Sequence, residues 1–102
     1  MTVARLSAAA FALLLCPTAF ASPELVRSKN CVACHSAERK MIGPSFKDIA
    51  AKYANDASAP KALAEKVRKG TVGAWGQMPM PPQPTVSAEE ADTLVKWILT
   101  HK

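Results

Sequence analysis

Two cysteines three positions apart with a histidine directly behind them, Cys31-Val32-Ala33-Cys34-His35, constrain this chain more than any other stretch. Each thiol can add across one vinyl group of a haem while the imidazole reaches the iron. Two intervening residues give the backbone one tight turn, which brings both sulfurs and the ring to the same side of a macrocycle. The same spacing also serves zinc sites and redox thiol pairs, so the rest of the sequence has to discriminate.

With 102 residues the chain has room for one domain. Met1 to Ala21 has a short basic start at Arg5, an uninterrupted apolar run from Ala8 to Leu15, and Ala19-Phe20-Ala21 in the small-x-small form of a signal-peptidase site. We read 1–21 as a cleaved secretory leader and 22–102 as the mature domain. The apolar run is well short of the ~20 residues that span a bilayer, so no membrane span is expected after processing. Cys16 follows Leu15 and not a small residue, which argues against a lipoprotein signal. The expected location is the periplasm.

Processing removes Cys16 and leaves only Cys31 and Cys34, so no disulfide framework can form unless those two pair with each other. Bare thiols in an oxidising compartment need a reason, and haem attachment supplies one, because a thioether is not reversed by thiol exchange. The mature segment carries 12 Lys and Arg against 8 Asp and Glu, a net charge of +4. The surplus is spread along the chain without aromatic platforms, which argues against nucleic acid and for an acidic docking face on a protein partner. A domain this small is marginal on its own apolar burial, and a buried macrocycle would enlarge its core.

Ser22-Pro23-Glu24 predicts a helix start that runs to about Cys31. A polar loop follows, closed by Gly43-Pro44; the Pro44 carbonyl is a candidate acceptor for the second ring nitrogen of His35, a plain turn being the alternative. Ser45-Phe46-Lys47-Asp48 caps a second helix with Phe46, Ile49 and Tyr53 on one face. Pro60 opens a third that stops at Gly70. Four prolines and two glycines between Thr71 and Val86 predict an irregular, extended loop without a paired strand. Trp75, Met78 and Met80 would need a surface outside that loop to bury against. Ser87-Ala88-Glu89-Glu90 caps the longest helix, expected to end near His101, with Ala91, Leu94, Trp97 and Ile98 packing on the first helix. The expected class is all-α, four or so helices wrapped around a covalently attached haem.

The sixth iron position separates a carrier from a catalyst. The candidates are Met41, Met78, Met80, His101, a lysine, or no protein ligand. Met80 is favoured, because Pro79, Pro81 and Pro82 stiffen the backbone and lower the entropy lost in holding a thioether on iron. Met78, two residues away, is expected to point elsewhere, toward the haem edge or solvent, and His101 to be exposed. His/Met ligation would saturate the iron and leave it to transfer single electrons.

The chain resembles the small class I bacterial cytochromes c of the cytochrome c-551 type. The likeness rests on the haem motif, Lys40-Met41-Ile42-Gly43-Pro44, Lys47-Asp48-Ile49-Ala50-Ala51-Lys52, Trp75-Gly76 before Pro79-Met80-Pro81-Pro82, and Leu94-Val95-Lys96-Trp97. It covers essentially the whole mature chain. The resemblance implies one haem c held by thioethers from Cys31 and Cys34, axial bonds from His35 and Met80, and an imidazole hydrogen bond to Pro44. It also implies an indole N–H from Trp75 to a propionate, with Lys66 where the family often has arginine and Gln83 where it commonly has asparagine. By the same likeness the protein is a monomeric electron carrier and not an enzyme. It would take electrons from a membrane cytochrome complex and pass them to a nitrite reductase or a terminal oxidase.

Two other classes of function compete with this one. A haem enzyme or gas sensor would leave the sixth position open or labile. A thiol-disulfide oxidoreductase would use Cys31 and Cys34 bare, but no βαβ pattern surrounds them.

Overall fold

The computed structural model describes residues 9, 10, 12 and 22–102, so the segment assigned to a leader, Cys16 included, lies essentially outside the described residues. Four α-helices carry the described fold: α1 (Ser22–Ser28), α2 (Phe46–Lys52), α3 (Ala59–Lys69) and α4 (Ala88–Ile98). None is long and apolar enough to cross a membrane.

Helix α1 buries Leu25 and Val26 and stops at Ser28, short of the expected Cys31. Asn30 is the cause. It sits in the left-handed region at φ 61°, which asparagine tolerates better than most residues, and that turns the chain out of the helix. Cys31–Ala33 then form a separate 3₁₀ turn, so the thiols ride on a tight loop and not on a helix end.

Helix α2 begins where the Ser45 hydroxyl, fully buried, accepts the Asp48 N–H at 3.0 Å. Ahead of α3, the Asp56 carboxylate accepts from the backbone N–H and hydroxyl of Ser58 at 2.9 and 2.6 Å, an Asx-type turn that leads the chain into the helix. These bonds, the hydroxyl first, hold its carboxyl below the usual carboxylate range. Proline at the start and Gly70 just past the end bound α3 as the sequence suggests. Helix α4 opens with the full reciprocal capping box: Ser87 Oγ accepts the Glu90 N–H at 3.1 Å and Glu90 accepts the Ser87 N–H at 3.0 Å. It ends at Ile98, three residues before His101.

Two packing expectations need adjustment. Helix α4 touches α1 through the Leu25, Val26, Leu94 and Val95 cluster, but its broadest neighbour is α3, whose buried Ala64 allows close approach. The stretch after Gly70 is also not wholly irregular. Strands β1 (Thr71–Gly73) and β2 (Gly76–Met80) pair antiparallel, with Thr71 opposite Met80 and Gly73 opposite Gly76 and an irregular register between. Pro79 is compatible with this ladder because both strands of a two-stranded sheet are edges, where a residue without an N–H is tolerated. The turn uses positive φ at Gly73 and Gly76, 83° and 100°.

Candidate cofactor site

A cavity of about 370 Å³ opens between the 3₁₀ turn, α2, α3, the hairpin and α4. The 3₁₀ turn and the residues after it bring Cys31, Cys34 and His35 to its lining. The hairpin brings Trp75 and Met80 and α3 brings Lys66, with apolar Ile49, Leu63, Val67, Leu94 and Ile98 completing much of the surface. Cys31 and Cys34 are free and half-buried. Burial pushes the Cys31 thiol up, with neighbouring Cys34 adding to the effect.

The geometry around His35 assigns its tautomer. Nδ1 lies 2.7 Å from the Pro44 carbonyl, which can only accept, so Nδ1 carries the hydrogen and donates it. The lone pair is then on Nε2, free for a metal. Backbone bonds hold the loop that makes this possible: Gly43 N–H to Cys34 O at 2.8 Å and Phe46 N–H to Ser36 O at 2.9 Å. Behind the ring, Phe46 stacks on His35 with centroids 5.7 Å apart. Trp97 and His101 brace Phe46 in turn, at 5.7 and 5.5 Å. His101 is thus half-buried in an aromatic cluster on the His35 side, with its Nδ1 2.9 Å from the Ile98 carbonyl, and not the exposed residue its terminal position suggests.

Met78 and Met80 both line the cavity; the sequence placed Met78 toward the haem edge or solvent. The reason is strand geometry: residues two apart share a face. Exposure still separates them, since Met78 is 64% exposed and Met80 is half-buried. The approach of α3 to the Met80 segment depends on Gly70, where a Cβ would stand 2.7 Å from the Met80 carbonyl and φ is 79°. Gln83 turns its side-chain amide back to the Pro81 carbonyl at 3.1 Å. At the mouth, Lys66 Nζ stands 6.0 Å from the Tyr53 ring centroid, and Trp75 is 38% exposed.

Sequence reasoning missed the Phe46, Trp97 and His101 brace, the packing role of Gly43, and Lys52. Lys52 lies on the solvent face of α2, and nothing in its local pattern marks it. Only the folded hairpin brings the Ala74 carbonyl to 2.7 Å from its ammonium.

Among the described residues, no cluster of three or more His, Cys, Asp or Glu side chains is placed to hold a bare metal ion. The donor set suits a flat, largely apolar group instead. One free imidazole nitrogen and two thioethers, those of Met78 and Met80, reach a largely apolar cavity whose lining also holds two thiols, basic groups and an indole.

Residues 21–102 match the family model described as Cytochrome c. Cytochrome c-552 of Nitrosomonas europaea is 50% identical over 94 residues, covering 92% of this chain and 91% of that one. Cytochrome c-551 of Pseudomonas aeruginosa is 48% identical over 101 residues, covering 97% and 96%. The crystal structure of wild-type Nitrosomonas europaea cytochrome c552 superposes with a TM-score of 0.76 at 50% identity, over 78% of this chain and 99% of that one.

Proposed function

This chain belongs to the cytochrome c family, and from that premise we propose that it is a periplasmic one-electron carrier whose haem is held by Cys31, Cys34, His35 and Met80. It is a small electron-carrying haem protein of the class I type with one covalently attached haem c, and not an enzyme. Export would remove residues 1–21. The donor would be a membrane cytochrome complex, and the acceptor a nitrite reductase or a terminal oxidase.

One arrangement carries the reading: a His35 ring whose tautomer leaves Nε2 free faces the same cavity as a proline-framed thioether at Met80. When bound, haem c supplies an iron that cycles between two oxidation states one electron apart. The protein does the rest. Cys31 and Cys34 would fix the group through thioethers, and the Pro44 carbonyl holds the imidazole so that it need not reorient with each transfer. Met80 would be the second protein ligand, which would raise the potential and leave no place for oxygen or peroxide. Leu63, Val67, Leu94 and Ile98 exclude water from the buried face, while Trp75 and Lys66 would meet the carboxylate edge.

The net charge of +4 on 22–102 supports docking to an acidic surface. A potentiometric titration of the exported protein should show a single one-electron transition. Stopped-flow exchange with an acidic redox protein should slow as salt rises toward ~0.15 M, where the screening length is about 8 Å. A rate flat across ionic strength would remove the charged docking face from the proposal.

A further inference from the structure

We propose that Lys52 is a positioning residue for the mouth of the haem cavity: it ties the Ala74–Trp75 turn to α2, and so fixes the indole and the strand that carries Met80. The inference rests on the cavity holding haem. Lys52 is the last residue of α2, and its ammonium makes two contacts with the hairpin at once. It donates to the Ala74 carbonyl at 2.7 Å and lies 4.4 Å from the centroid of the Trp75 ring. Both distances are those of real interactions, a charge-assisted hydrogen bond and a cation over an aromatic face.

The turn has little else to hold it. A Cβ at Gly73 or Gly76 would meet nothing within 4 Å, so the two glycines of the hairpin tip face open space and add no packing of their own. A two-stranded hairpin is marginal by itself. A tether at its turn therefore reaches the whole of Thr71–Met80, since Thr71 pairs with Met80 at the far end of the ladder.

The charges point the same way. Tyr53 has Lys52 at 5.6 Å and Lys66 at 6.0 Å from its ring, so two cations flank one aromatic side chain of the cavity lining, which also carries Lys40 and a single carboxylate, Asp48. Like charges gathered there are most stable with an anion nearby, and the carboxylate edge of a haem would supply it. Positive charge beside the haem favours the reduced state, so Lys52 also raises the reduction potential.

The test uses the haem-bearing protein and the substitutions K52M, which keeps the length of the side chain without its charge or donors, and K52R, which keeps both. Haem content by intact mass is read first on the unsubstituted protein, and a chain without covalent haem would overturn both this inference and the functional reading. On reduced protein, K52M should speed hydrogen exchange of the Trp75 indole and of amides within 71–80 about tenfold. It should leave Leu94 and Val95 amides unchanged and lower the midpoint potential, and K52R should restore all three. Unchanged indole exchange in K52M would overturn the inference alone, as would faster exchange spread evenly to Leu94 and Val95. If K52M gives no folded protein, K52Q serves the same comparison with the same outcomes.

Discussion

Gly43 lies so close to His35 that a Cβ there would stand 2.6 Å from ring atom Cε1 and 2.9 Å from Nδ1. The ring cannot retreat, because Nδ1 is bonded to Pro44 on one side and Phe46 stacks against its face. Gly43→Ala should therefore behave as overpacking. Urea denaturation of the haem-bearing protein should show a loss of roughly 1–3 kcal/mol, with a shifted visible spectrum as the imidazole turns. An unchanged spectrum and midpoint would mean that the loop yields and the ring stays. The Cys31-Val32-Ala33-Cys34-His35 run, Pro44 and Met80 were legible because each is a local signal, a motif or a stiffened neighbourhood. The need for glycine at 43 was not, since it arises from a ring eight residues earlier in the chain.

At the scale of elements, α4 shows how a cap couples to charge. Its N-terminus is closed by Ser87 and Glu90, and Lys29 joins them, donating to the Thr85 carbonyl at 2.8 Å and pairing with Glu90 at 3.4 Å. The Ser87 backbone N–H, before Lys29, holds the Glu90 carboxyl below its ordinary range. A carboxyl with a lowered folded pKa contributes stability that is present at neutral pH and is lost as the pH falls through that lowered value. Ser87→Ala should cost about 1 kcal/mol in urea denaturation at neutral pH. Glu90→Gln should flatten the acid limb of the stability profile, and an unchanged limb would show that other carboxylates set it. The Ser45 cap and the Ser87–Glu90 capping box could be read from sequence because each spans four residues. The β1–β2 pairing could not. It depends on a turn bringing Thr71 to Met80, and Pro79 argues locally against any ladder. The early end of α1 escaped for a similar reason, being set by one left-handed asparagine and not by a glycine or proline.

Across the whole molecule, the all-α class followed from helix caps, helical spacing of apolar residues and the lack of strand alternation, and the central group from a haem motif in a chain too short to fill its own core. That the group's cavity would be closed by a hairpin tied to α2 did not, because the tie is a surface lysine on a distant turn. The same cavity defines the central proposal: His35 and Met80 would both hold the haem iron and leave it closed to outside ligands. The most direct test is the optical spectrum of the reduced protein before and after exposure to carbon monoxide at neutral pH. The spectrum should not change in the unsubstituted protein and should change in Met80→Ala, where the thioether is gone. Carbon monoxide binding to the unsubstituted protein would contradict the account and mark the site as one that reacts with ligands.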